Sequence, residues 1–261
     1  MFPTLFSIGQ IQLQTSSVFT VLAFLLGGFV FWRKSREEHY SESHAFDGFL
    51  LSIVFGFIVG RLAYVGLHWD LFGSDILKWF DVVSHPGAQF TVGMVATGWY
   101  LARFASQKKW DVCEVLDFWV IATSISMAIQ YVGSFFEGSM YGLPTKLPWG
   151  IVFPQTQEAV HPTQLYFAVF FFGLFWYLSK VEYQYRSYEW YRYGKKTAQT
   201  GFLLAMYILL TSAFSLAISF ISLPEFVVKG VALDGWLYGI AMLIAGILLW
   251  VRSGRHFLWF K

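Results

Sequence analysis

The sequence predicts an all-α integral membrane protein: seven transmembrane helices, the N-terminus outside, the C-terminus cytoplasmic, and short interfacial elements on the outer side. Three observations carry this reading. First, 56% of the 261 residues are hydrophobic and only 13% are charged, about half the charged share of an ordinary soluble domain. Second, apolar segments recur at roughly 17–32, 47–68, 88–106, 115–136, 163–180, 201–222 and 232–251. Each is near the ~20 residues that a helix needs to cross the hydrocarbon layer. Third, the loop cations alternate. With the N-terminus outside, the inner segments 33–46, 103–114, 180–200 and 252–261 hold Arg33, Lys34, Arg36, Arg103, Lys108, Lys109, Lys180, Arg186, Arg192, Lys195, Lys196, Arg252, Arg255 and Lys261, while the outer segments hold only Lys78, Lys146 and Lys229. That asymmetry satisfies the positive-inside rule.

Taken in order, residues 1–16 carry no Lys or Arg and no small-residue cleavage pattern follows the first apolar run. The run therefore reads as a retained first span rather than a cleavable signal. Residues 3–15 mix Leu5, Phe6, Ile8, Ile11 and Leu13 with polar neighbours, and 74–83 set Ile76, Leu77, Phe80 and Val83 at helical spacing. Both suit elements lying flat at the outer headgroups, or loops packed on the bundle. The stretch 181–196, rich in Tyr and Trp among cations, suits a helix extended into the inner interface. No repeat and no second soluble domain interrupts residues 1–261, which read as one polytopic domain. A net charge of +2 gives no case for nucleic acid. The single Cys113 excludes an internal disulfide and a Cys-cluster metal site.

The chemistry must come from span ends and outer loops. Arg61 sits about two turns, ~10 Å, inside the outer end of the second span. A cation there is costly unless it faces a cavity or a partner, and its fork matches phosphate oxygens; the alternatives are a structural ion pair and a snorkelling side chain. His85 and His161 each precede a proline (His85-Pro86-Gly87, His161-Pro162-Thr163), which suggests helix N-terminal positions on the outer side. There a neutral imidazole can accept a proton, or simply hydrogen-bond at the interface. Asp81, Glu137, Glu158 and Asp234 are candidates to orient a histidine, or are merely solvated. Gln130 and Tyr131 lie near the outer end of span four, in reach of a ligand. The stretch from Gly133 to Tyr166, punctuated by glycine and proline between two spans, is where irregular backbone can line a site.

These residues carry a likeness. FPTLFSIGQIQL near the N-terminus, GRLAYV at Gly60–Val65, and His85-Pro86-Gly87 where the family has His-Gly-Gly resemble the prolipoprotein diacylglyceryl transferases of the bacterial inner membrane. So do Gly133, Phe135, Gly138, Gly142, Pro144 and Thr145, followed by PWGIVFP and HPTQLY. The resemblance implies transfer of a diacylglyceryl group from phosphatidylglycerol to the lipobox cysteine of a prolipoprotein, downstream of its signal peptide. Glycerol phosphate leaves, and neither metal nor nucleotide is needed. It implies His85 as base, with Arg61 and, in place of a family arginine, Tyr131 beside it in catalysis, and a substrate site at Gly133, Ser134, Glu137, Gly138, Gly142, His161, Gln164 and Tyr166, with membrane lipid as the surroundings.

Besides Pro86, the chain departs from the family at six positions. The family carries Arg where Tyr131 stands, Asn at Ser134, an acid at Ser139 and Tyr at Ser16. It carries Arg and Glu where this chain has Thr211 and Ser215. Losing one charge-assisted contact in a dry site costs ~10²–10³ in rate. Two readings follow: a divergent transferase that works with Arg61, Tyr131 and its histidines, or a non-catalytic relative that binds phospholipid or lipoprotein precursors. A seven-span sensory protein is a third and weaker fit, because the last span has no lysine for a Schiff base.

Overall fold

The computed structural model describes residues 4–8, 11–82, 84–184, 200–224, 227–228 and 231–252. Val83, the 185–199 part of the expected interfacial helix, and the cations Arg186, Arg192, Lys195, Lys196, Lys229, Arg255 and Lys261 lie outside them. Each expected span has a helix: α1 (Thr15–Glu37), α2 (Glu42–Leu67), α5 (Phe90–Gln107), α6 (Val112–Glu137), α7 (Thr163–Tyr183), α8 (Phe202–Ser219) and α9 (Asp234–Arg252). Two short helices, α3 (Trp69–Phe72) and α4 (Ile76–Phe80), follow α2. Six of the long helices are long and apolar enough to cross a membrane; α5, with Arg103, Ser106 and Gln107 in its last turns, is not among them. The protein is thus helical and multi-pass in character.

Residues 3–15 differ from a flat interfacial run. Strands β1 (Thr4–Ile8) and β2 (Ile11–Gln14) pair antiparallel, Ile8 opposite Ile11 and Thr4 opposite Gln14, with an irregularity between Thr4 and Phe6. Alternating apolar and polar residues fit that two-residue period. A second small hairpin joins β3 (Val227–Val228) to β4 (Val231–Ala232).

The chain divides into two units, Phe31–Trp119 and Met1–Val30 with Val120–Lys261. In the first, α2 packs along α5 through a stripe of small residues. Gly48, Ser52, Gly56 and Gly60 are all buried on α2, spaced so that each lies one turn from the next. A Cβ on Gly56 would stand 2.7 Å from the Gly93 carbonyl, and one on Gly60 would stand 2.9 Å from the Gln89 carbonyl. Close backbone approach of this kind is how helices gain packing where lipid supplies no hydrophobic drive.

In the second unit the N-terminal half of α1 lies on α6. Gly133 meets Phe19, whose Cβ would be 2.5 Å from an added methyl, and the Ser126 hydroxyl donates to the Ala23 carbonyl at 2.8 Å. On the other side of α6, the Tyr131 ring stacks on Phe167 and Phe171 of α7, centroids 4.7 and 5.7 Å away. Phe170 of α7 stacks on Phe214 of α8 at 4.1 Å, and α8 runs along α9.

Candidate functional site

In the Phe31–Trp119 unit, chemistry gathers where α2 meets the segment after α4. Arg61 is buried to 5% exposure, and its guanidinium faces backbone carbonyls rather than a carboxylate. Nε donates to Trp79 O at 2.9 Å and Nη1 to Gly87 O at 2.7 Å. Nη2 donates to Asp81 O at 3.1 Å and Lys78 O at 3.4 Å. Four of the five N–H donors a guanidinium offers are thereby engaged. The Tyr64 and Phe72 rings flank the cation, with their centroids 5.8 and 5.1 Å from Cζ. Aromatic faces and carbonyl dipoles together offset the burial of the charge.

This grip shapes the His85 segment. Proline disfavours helical backbone at the residue before it, and Gly87 takes φ +141° with a Tyr64 ring atom 2.4 Å from where a Cβ would sit. Gln89 N donates to the Gly60 carbonyl at 2.8 Å. α5 therefore starts only at Phe90 behind Gln89, and His85 lies five residues upstream of it. The expected helix N-terminal position for His85 is corrected: Arg61 and Gly87 hold the intervening backbone outside the helix. His161 comes closer to its expectation, since Pro162 is the N-cap of α7 and His161 directly precedes it.

The His85 ring packs by Phe72, centroids 5.8 Å apart. Its side chain is 39% exposed, with Nδ1 3.7 Å from Asp81 Oδ2. Nδ1 itself is shut away from solvent and makes no hydrogen bond. The open part of the ring is therefore the edge that carries Nε2.

The Gly133–Tyr166 stretch, in the other unit, is built differently. α6 stops at Glu137, where Gly138 takes φ +80°; Gly138 N and Ser139 N both return to Ser134 O, at 3.0 and 3.1 Å. A glycine in this conformation is the usual way to close a helix C-terminus. Beyond it the backbone forms bridges: Gly142 with Ser222, Pro144 with Val160 and Ile151 with Val160. Gly142 N donates to His161 O at 2.9 Å and His161 N to Leu143 O at 3.0 Å. A Cβ on Gly142 would stand 2.4 Å from Ile221 O, so a side chain does not fit there.

The polar side chains of this stretch mostly bond to their own surroundings. Glu137 accepts from the hydroxyls of Ser16 at 3.2 Å and Ser139 at 3.0 Å. Ser134 is buried and donates to Gln130 O at 3.3 Å on its own helix. Gln130 Oε1 accepts from the Thr20 hydroxyl at 2.9 Å. Gln164 is fully buried, with Nε2 on Ser139 O and its Oε1 without a hydrogen bond. Thr211 turns back onto Tyr207 O at 2.6 Å, the common fate of a threonine hydroxyl inside a helix. His161 Nδ1 lies 3.4 Å from the Tyr166 hydroxyl, which also accepts from Trp149 Nε1 at 2.9 Å. Tyr166 and Trp149 line an open groove of about 700 Å³ with Pro148, Gly150, Ile151, Pro162 and Leu165.

The structure thus brings Arg61, Asp81 and His85 together. It separately assembles Ser16, Glu137, Ser139 and Gln164, and sets His161 against Tyr166 and Trp149. Glu158 is exposed and Asp234 is buried at the start of α9. Sequence reasoning missed the Tyr64–Phe72 box around Arg61 and the Trp149–Tyr166 contact. The four-residue spacing of small residues on α2 is the signal that could have located the α2–α5 seam. Among the described residues, no three His, Cys, Asp or Glu side chains gather to hold a metal ion.

The family model described as prolipoprotein diacylglyceryl transferase matches residues 3–252. The chain is 25% identical over 228 residues to the phosphatidylglycerol–prolipoprotein diacylglyceryl transferase of Clostridium tetani, covering 85% of each. It is 24% identical over 260 residues to the protein of that name from Finegoldia magna, covering 96% of this chain and 95% of the relative. With the one from Wolbachia pipientis wMel it shares 33% identity over 181 residues, 64% and 65% of the two chains. Nearly its whole length carries the pattern: this chain belongs to the prolipoprotein diacylglyceryl transferase family.

Proposed function

We propose that the protein transfers a diacylglyceryl group from phosphatidylglycerol to the lipobox cysteine thiol of a prolipoprotein, next to its signal peptide, in a bacterial inner membrane. The observation that carries this reading is the family match over residues 3–252. At residue level it is supported by the His85 ring, whose open edge stands beside a buried cation's loop.

In this reading His85 Nε2 takes the thiol proton. The sulfur attacks the glyceryl carbon, a carbon–sulfur bond forms, the carbon–oxygen bond to phosphate breaks, and glycerol phosphate leaves with the electron pair. Arg61 keeps its charge and one N–H beyond the four spent on carbonyls, which supports a part in balancing the leaving phosphate. The Tyr131 ring is committed to the α7 stack, so its share is a single hydroxyl donor. Gly133, Gly138 and Gly142 set the backbone of the substrate site; Ser134, Glu137, His161, Gln164 and Tyr166 supply its polar lining.

Seven spans with the N-terminus outside complete the proposal. α5 has 18 residues, about 27 Å at 1.5 Å per residue, close to the thickness of the hydrocarbon layer. α4 buries no residue, and Leu77 and Phe80 are 84% and 75% exposed; that supports a place at the outer headgroups.

A second reading, a relative that binds phospholipid or lipoprotein precursors without transfer, is favoured by Ser134 and Thr211. Both spend their hydroxyls on their own helices where the family carries an Asn and an Arg. Purified protein in phosphatidylglycerol vesicles with a lipobox peptide separates the two. The transferase produces a thioether-linked diacylglyceryl peptide and an equal amount of glycerol phosphate. Lipid binding with neither product establishes the second reading instead.

A further inference from the structure

The carboxylate of Asp81 has a geometry that the proposed reaction has not yet used. Its Oδ1 accepts from the Ser84 amide at 2.9 Å, and its Oδ2 faces His85 Nδ1 at 3.7 Å. Its own carbonyl is one of the four held by Arg61. The side chain is therefore fixed from both ends, by a backbone amide on one oxygen and by a buried guanidinium through the main chain. It presents Oδ2 to a ring nitrogen that solvent does not reach.

We infer that Asp81 is a positioning residue for His85: it selects the tautomer with the proton on Nδ1 and so leaves the lone pair of Nε2 on the exposed edge. This rests on the reading of His85 as the base. A neutral imidazole has one donor and one acceptor nitrogen, and the hydrogen bond at one fixes the role of the other. A shielded Nδ1 opposite an anionic oxygen is stabilised as a donor and opposed as an acceptor. The 3.7 Å separation exceeds a hydrogen bond by less than about 1 Å. Contacts of this kind in unliganded sites commonly tighten when substrate arrives. Arg61 then acts at one remove. Its bonds to Asp81 O and Gly87 O bracket the histidine on both sides in sequence, so it holds the loop on which the pair is mounted. Phe72 serves both halves, since it lies under the guanidinium and beside the imidazole.

The test is Asp81→Asn in the full-length protein, in phosphatidylglycerol bilayers with [15N]histidine. The amide oxygen still accepts from Ser84 N, so the turn survives, but the NH2 that replaces Oδ2 cannot accept from Nδ1–H. The His85 resonances are identified by their absence in His85→Gln. The wild-type protein at pH 8 is expected to show His85 protonated at Nδ1, and Asp81→Asn to shift it to the Nε2-protonated form. In the transfer assay with the lipobox peptide, kcat is expected to fall by about 10²–10⁴, with KM for the peptide within about twofold. A His85 tautomer unchanged by Asp81→Asn overturns the inference. So does a switched tautomer with undiminished kcat. If wild-type protein transfers nothing while the tautomer still switches, the assignment of Asp81 stands and the transferase reading falls.

Discussion

Two irregular segments of this chain, residues 78–87 and residues 138–162, solve the same problem in opposite ways. Each is irregular backbone between long apolar helices. The first is organised by a buried cation: Arg61 reaches out of α2 and binds four carbonyls in ten residues. The second is organised by its own backbone, through bridges to Val160 and Ser222 and through glycines that admit no side chain. On the proposal that His85 is the base, the difference says where reactivity is kept. A loop held by a guanidinium can carry an Asp and a half-exposed His in fixed relation. A loop held by main-chain bonds serves chiefly as a wall, even though it contains the PWGIVFP motif and the start of HPTQLY.

That contrast can be broken most severely at Arg61. Arg61→Ala removes the donor of four carbonyls, and a single orphaned buried acceptor costs about 1–3 kcal/mol. We expect transfer to fall at least ~10²-fold and faster proteolysis between residues 74 and 87, both measurable on detergent-solubilised protein. Arg61→Lys should recover only part, because an ammonium lacks the planar fork.

Next in size is Gly142→Ala, which places a methyl 2.4 Å from a main-chain oxygen. Overpacking of that kind costs about 1–3 kcal/mol and should lower the melting temperature of the protein while leaving the His85 tautomer alone. Gly87→Ala should cost a similar amount but also disturb His85, because Tyr64 must move. A Gly87→Ala protein whose His85 is undisturbed would contradict the hold of this turn on the histidine.

Tyr131→Phe keeps the stack on Phe167 and Phe171 and deletes one hydroxyl. A net hydrogen bond of ~0.5–1.5 kcal/mol translates to a loss of transfer of about two- to tenfold. The smallest effect is expected from Glu137→Gln. Its two partners are hydroxyl donors, and an amide oxygen still accepts from one of them. Transfer within about threefold of wild type is the expected outcome; a much larger loss would move chemistry into the second segment.

Much of the helical frame was legible in the sequence because lipid imposes one rule: about 20 apolar residues per crossing, with cations on one side. Each expected span has its helix, and α6 ends one residue beyond the expected boundary, at a glycine that closes it. The hairpin at β1 and β2 was not anticipated, since short alternating runs near a span also suit an interfacial segment. The start of α5 was misplaced because proline after His85 looked like a first helical turn. What decides the matter is a carbonyl on Gly87 captured from α2, a long-range bond that local pattern cannot reveal. The same holds for Arg61. Its depth marked it as special, but only three dimensions show its N–H groups on carbonyls. Tyr131 was read for its hydroxyl, whereas its ring is the part that the surrounding aromatics engage.

The central claim is that transfer chemistry is mounted on the segment that Arg61 holds, with His85 as the base. The most direct measurement compares wild-type protein and His85→Gln in phosphatidylglycerol vesicles with a lipobox peptide, following thioether product and glycerol phosphate together. The account predicts equal amounts of both products from the wild type and a loss of at least ~10²-fold in the variant, with lipid binding retained. Undiminished transfer by His85→Gln would contradict it.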